Sequence, residues 1–133
     1  MIGRTGELPP LVVFQADFEA LSILASLHSS LPVAQFLGEE LNRASVVTRT
    51  KRKFVRLGSR VRYQDLSKTT PTEITLVMPN EADLKRRFVS VLTAVGAALI
   101  GLKEGQSITF SMPWTGPRTI VVLQIADDSV EES

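Results

Sequence analysis

The sequence predicts an α+β fold: a short antiparallel helical hairpin followed by a sheet domain of about five mostly antiparallel strands with one short helix packed on it. Three observations predict it. Apolar residues recur at three- and four-residue spacing between Asp17 and Ala44, the period of helices with one buried face. From Arg60 onward the pattern turns to short alternating or apolar runs punctuated by Pro, Gly, Ser and Asn, the signature of strands and turns. Between these strands lies Ser90 to Ile108, SVLTAVGAALIGLKEGQSI, which encodes strand, apolar helix, Gly-stopped turn and strand in succession.

Residues 1–10 contain two Gly and two Pro without periodicity and are expected to be flexible. Leu11 to Phe14 is an extended lead-in. In the first helix, Asp17 to His28, the residues Phe18, Leu21, Leu24, Ala25 and His28 fall on one face. Ser29-Ser30-Leu31 is the turn, and Pro32 suits the first position of the second helix, whose Val33, Phe36, Leu37 and Leu41 form its apolar face. Residues 11–45 are thus the hairpin and 46–53 a basic linker. Strands are expected at Arg60 to Tyr63, Glu73 to Met78, Phe88 to Leu92, Ser107 to Met112 and Arg118 to Ile125, within a domain spanning 54–126. Residues 127–133 are an acidic tail.

The central helix, Ala94 to Ile100, is almost wholly apolar and far shorter than the roughly 20 residues of a membrane span, so it must lie across the sheet. Thr93 can cap its start through the side-chain oxygen. Gly101 suits a left-handed stop, and Leu102 stands where a Schellman motif often places an apolar contact. Its small residues permit close approach to the sheet; Gly96 to Gly101 is no phosphate loop, since no Lys-Ser/Thr follows.

Composition narrows the chemistry. The chain has no Cys, so disulfides and thiolate metal sites are excluded, and the single His28 rules out multi-histidine sites. His28 reads as a structural histidine on the apolar side of a helix end, and Glu39-Glu40 as water-facing. No catalytic residue, cofactor site or metal site is identified. With no basic start and apolar core before a cleavage site, the expectation is a cytoplasmic protein without membrane attachment, and a monomer. Net charge is +1, but its distribution is uneven: Leu41 to Gln64 has no acidic residue and holds 8 of the 15 basic ones. Arg49, Lys51, Arg52, Lys53 and Arg56 form its dense part. The window reads either as a solvated linker and sheet face or as a contact patch for phosphates or an acidic protein surface. Only Phe54 and Tyr63 interleave with it, too few for a base-stacking platform. Trp114, the one Trp, lies in a Pro- and Gly-flanked turn and is either a binding anchor or a cover for the core edge.

Ser90-Val91-Leu92-Thr93, Val95 to Leu102 and Gly105 resemble the C-terminal domain of the bacterial Gre transcription factors. The resemblance extends back through Ser59 to Tyr63 and Ile74 to Pro79, and forward to Ile120 to Leu123. Within that family it is strongest to the short-hairpin branch, the regulators of nucleoside diphosphate kinase. It implies an FKBP-like sheet domain that docks on RNA polymerase at the secondary channel, with the hairpin directed toward the channel. The family's docking loop, with its Ser-Pro pair, maps onto Leu92, Thr93, Ala94 and Val95. In cleavage factors the hairpin tip carries acidic residues that help hold a catalytic metal. Here the tip, Leu27 to Val33, has none, and arms rising about 1.5 Å per residue reach only about 18 Å. The resemblance therefore implies a polymerase-binding, non-catalytic regulator. The alternatives are a basic nucleic-acid-binding module and, from fold alone, a peptidyl-prolyl isomerase.

Overall fold

A computed structural model of the chain describes residues 3–4, 9–114 and 116–126. The first strand, β1 (Gly3–Arg4), is followed by β2 (Val12–Phe14), α1 (Gln15–Leu27) and α2 (Pro32–Arg43). Next come β3 (Ser45–Val47), β4 (Arg60–Asp65), β5 (Thr72–Val77), β6 (Phe88–Ser90), α3 (Ala94–Leu99), β7 (Ser107–Ser111) and β8 (Arg118–Ala126). The main sheet has the order β1-β7-β8-β4-β5-β6. Its pairs are antiparallel except β5 with β6. The five expected strands are thus joined by a sixth, β1, which pairs with β7 from within the segment read as flexible. The acidic tail lies outside the described residues.

Two further segments read as irregular form a second, two-stranded sheet. Val12–Phe14 and Ser45–Val47 pair in parallel, so the supposed lead-in and the start of the basic linker are both strands. Their partners lie far apart in sequence, and neither run is long enough to declare itself by alternation. This ribbon clamps the base of the hairpin: the Ser45 N–H donates to Leu11 O (2.9 Å) and the Val12 N–H to Gly101 O (3.2 Å).

A single buried cluster runs through hairpin and sheet. Leu21, Leu24 and Ala25 of α1 and Val33, Phe36, Leu37 and Leu41 of α2 contribute to it, as the three-four spacing requires. Phe36 stacks on Phe110 of β7, with ring centroids 6.0 Å apart. The hairpin thus lies along the sheet domain. In β4, Val61, Tyr63 and Asp65 point inward and Arg60 and Arg62 outward. In β8 the inward residues Ile120, Val122 and Ile125 break strict alternation. The cause is a β-bulge: Arg62 faces Gln124 and Tyr63 faces Val122, so Leu123 is the extra residue.

The turn from β5 to β6 makes their parallel pairing possible. A 3-10 turn at Pro79–Glu81 leads to a tight reversal in which Asp83 and Phe88 exchange backbone hydrogen bonds (3.0 and 2.9 Å). The Asp83 carboxylate accepts from the Lys85 N–H at 3.0 Å, and Arg87 takes a positive φ of 60°.

Two expectations are corrected. His28 is exposed one residue past the end of α1 and three past Ala25, the last buried residue of that helix. Glu40 does not face water: it is 1% exposed, and the Arg43 guanidinium grips both its oxygens at 2.9 Å while also donating to Pro9 O. A carboxylate and an arginine three residues apart on one helix face can pair, which lets Glu40 be buried.

Candidate functional site

The loop from β6 into α3, residues 92–95, is fixed by two hydroxyl side chains. Ser90 Oγ accepts from the Leu92 N–H at 2.9 Å. The Thr93 N–H and hydroxyl both donate to Ser90 O, at 3.1 and 2.8 Å. Thr93 Oγ1 in turn accepts from the Gly96 N–H at 3.1 Å, which makes Thr93 the helix cap that the sequence predicts. Gly96 is needed at that place: a Cβ there would sit 2.3 Å from Ser90 O. The outcome is a rigid knuckle with Thr93 exposed and Leu92, Ala94 and Val95 half-buried around it.

The far end of α3 departs from the expected Schellman motif. Gly101 has φ +82°, as a left-handed stop requires, but its N–H goes to Val55 O at 2.8 Å. Ile100 is extended (φ −56°, ψ 130°), and the Leu102 N–H donates to Leu99 O at 3.1 Å. That is a type II turn, which demands glycine at its third position. Leu102 is fully buried, and a Cβ on Gly101 would meet Leu11 Cβ at 3.1 Å. Both ends of α3 are thereby tied to neighbouring segments, and the knuckle at 92–95 inherits that rigidity.

Apart from Arg43, which pairs with Glu40, the basic window divides into three. Arg49, Lys51, Arg52 and Lys53 are exposed on the loop after β3. Arg56 is half-buried, its guanidinium 4.4 Å from the centre of the Phe14 ring, and Phe14 packs on Phe54 at 5.0 Å. It therefore belongs to the packing at the base of α1 as much as to any surface patch. Arg60 and Arg62 lie on the outer sheet face beside Glu73 and Gln124, where they line a shallow groove. Trp114 is 62% exposed in the β7–β8 connection, so it does not serve as a cover for the core.

Besides the Glu40–Arg43 pair, sequence reasoning missed a buried ion pair that ties β4 to β8. Asp65 is 3% exposed and accepts from Arg118 Nη2 at 2.6 Å and Nε at 3.1 Å, while Ser67 donates its N–H (2.9 Å) and hydroxyl (2.7 Å). Burial works to raise the Asp65 carboxyl, but the hydrogen bonds from Arg118 and Ser67 outweigh it and hold the pKa at about 2. Arg118 also reaches over the Phe110 ring at 5.7 Å. The signal was present: Asp65 continues the inward phase of Val61 and Tyr63, and a carboxylate at such a position needs a cation.

Carboxylates are absent from the hairpin's outer half: from Ala20 to Gly38 the chain has no Asp, Glu, Lys or Arg. Among the described residues no group of three or more acidic or His side chains is placed to hold a metal ion. No helix among them is long and apolar enough to cross a membrane.

A family model described as "Transcription elongation factor, GreA/GreB, C-term" matches residues 49–127. The "Regulator of nucleoside diphosphate kinase" of Escherichia coli K12 is 31% identical over 121 residues, 88% of this chain and 89% of that protein. "Transcription elongation factor GreA" of Thermodesulfovibrio yellowstonii is 37% identical over 81 residues, 59% of this chain and 51% of that protein. Among solved structures, "Prokaryotic transcription elongation factor GreA/GreB from Nitrosomonas europaea" superposes with a TM-score of 0.69 at 30% identity, covering 90% of this chain and 99% of that one.

Proposed function

The chain belongs to the GreA/GreB family of transcription elongation factors, and on that premise we propose that it is a regulator that docks on RNA polymerase without promoting transcript cleavage. One observation carries the second half of this reading. Cleavage in the Gre manner needs carboxylates delivered to the polymerase active centre, because Mg²⁺ takes oxygen ligands. The outer half of this hairpin has none. The nearest acids, Glu19 and Glu39, are exposed but stand back along the arms, away from the turn, and Glu40 is committed to Arg43 and buried. The arms, of 13 and 12 residues, are about 20 Å long at most.

Docking is assigned to the FKBP-like sheet domain, with the knuckle Leu92, Thr93, Ala94 and Val95 as its contact. In favour of this reading are the exposure of Thr93 and the rigidity that Ser90 and Gly96 impose, since a preordered loop binds with little loss of conformational freedom. The relatives are regulators and elongation factors; the isomerase alternative rests on fold alone, which does not imply function.

A second contact has a specific observation behind it: Arg49, Lys51, Arg52 and Lys53 are all exposed on one short loop. Such a cluster suits a phosphate backbone or an acidic protein surface. Competition for core RNA polymerase against a labelled Gre cleavage factor tests the reading. Displacement by the full chain is expected, and failure to displace at saturation would refute docking at the shared surface. Displacement that weakens steeply with salt for wild type, and less so for Lys51→Ala/Arg52→Ala/Lys53→Ala, would assign the basic loop a share.

A further inference from the structure

The turn of the hairpin carries a patch that neither the core nor the 92–95 knuckle uses. Burial stops at Ala25 on α1 and resumes at Val33 on α2, and every residue from Ser26 to Leu31 is exposed. Ile23 and Leu27, one turn apart on α1, are 61% and 74% exposed, and Leu31 at the start of α2 is 43% exposed. The opposite side of α1, with Leu21, Leu24 and Ala25, faces the core. The outer half of α1 is therefore apolar on two sides, one packed and one facing outward. A helix apolar all round is ordinarily covered.

We propose that Ile23, Leu27 and Leu31 form an apolar anchor that seats in an uncharged, aliphatic groove on the protein partner. That partner is RNA polymerase under the reading above, on which this inference rests. Charge and area select this occupant. Nucleic acid is bound through cations that neutralise phosphates, and Ala20 to Gly38 has none. A helix lying in a lipid interface brings Lys and Arg on its polar face, whereas here the polar residues are serines, Gln35 and His28. A second copy of the chain would need about 800 Å² on each side. A large aromatic buries about 150–250 Å², and three smaller aliphatic side chains, already partly covered, fall well short. A projecting turn inserted into a preformed groove needs no such area, because a few well-buried anchors dominate binding. It also strips no charge of its water. The tip then contributes affinity in the place where a cleavage factor carries chemistry.

The test is the affinity of the full chain for core RNA polymerase, comparing wild type with Leu27→Ser/Leu31→Ser and with Leu27→Met/Leu31→Met. Both side chains are exposed, so melting temperatures should stay close to wild type. The serine variant should lose at least about tenfold in affinity, by the same factor at low and high salt, and the methionine variant should bind as wild type. Equal affinity of wild type and serine variant would overturn the anchor while leaving polymerase docking intact. No binding by wild type would overturn both. A wild-type dimer in sedimentation that the serine variant abolishes would assign the patch to a second copy and overturn the proposal. Loss of binding to phosphatidylglycerol vesicles in the serine variant would assign it to lipid, with the same consequence.

Discussion

Asp65 occupies an inward position on β4, and Arg118, 53 residues away, is what makes a carboxylate tolerable there. Asp65→Asn keeps the shape but removes the charge that Arg118 and Ser67 serve, and should destabilise the protein by on the order of 2–3 kcal/mol in chemical unfolding. The pH dependence follows from a folded pKa depressed to about 2 against an unfolded value near 3.9. The pair's stabilisation is complete above about pH 4 and is lost as pH falls through about 2, where wild type and Asp65→Asn should converge. Gly101→Val should cost about 2–3 kcal/mol, from the strain of a β-branched residue at φ +82° and the contact with Leu11 Cβ. An unchanged melting temperature would contradict the turn assignment. Of these residues, Gly101 was legible as a left-handed stop because the apolar run ends at it. The Asp65–Arg118 pair was not, because its partners meet only through the β4–β8 register.

At the scale of elements, the cap at Thr93, the apolar run of α3 and the glycine that ends it were legible, since these are local signals, whereas the type II turn at Ile100-Gly101 was not. The β2–β3 ribbon was not, because three-residue strands carry no period and their pairing is set by the hairpin between them. The bulge at Leu123 was likewise silent, being visible only as a slip between partners. For α3 the structure sharpens a prediction about docking. Thr93→Arg adds bulk at the exposed point of the knuckle and should weaken polymerase binding. It also removes a helix cap, a loss of about 1 kcal/mol in stability. Thr93→Ala loses the same cap without the bulk, so the two variants should melt alike and differ in affinity. Equal affinity for both would remove the 92–95 loop from the contact.

For the whole molecule, hairpin and sheet share one core, with Phe36 against Phe110 and the Leu11 to Phe14 segment bridging α1, β3 and Gly101. The order of helices and strands, and the family, were legible because periodicity and the 90–108 stretch are properties of contiguous sequence. The packing of the hairpin along the sheet was not, since either helix face could have served. That arrangement places an uncharged turn at the end of a short, firmly held arm, and under the function proposed above binding and chemistry come apart. The direct measurement is RNA shortening in a backtracked elongation complex with Mg²⁺, with the full chain alone and then together with a cleavage-competent Gre factor. No shortened RNA is expected with this protein alone, and the Gre-stimulated reaction should slow as its concentration rises. Shortened RNA with this protein alone, or an undiminished Gre reaction at saturating protein, would contradict docking without cleavage.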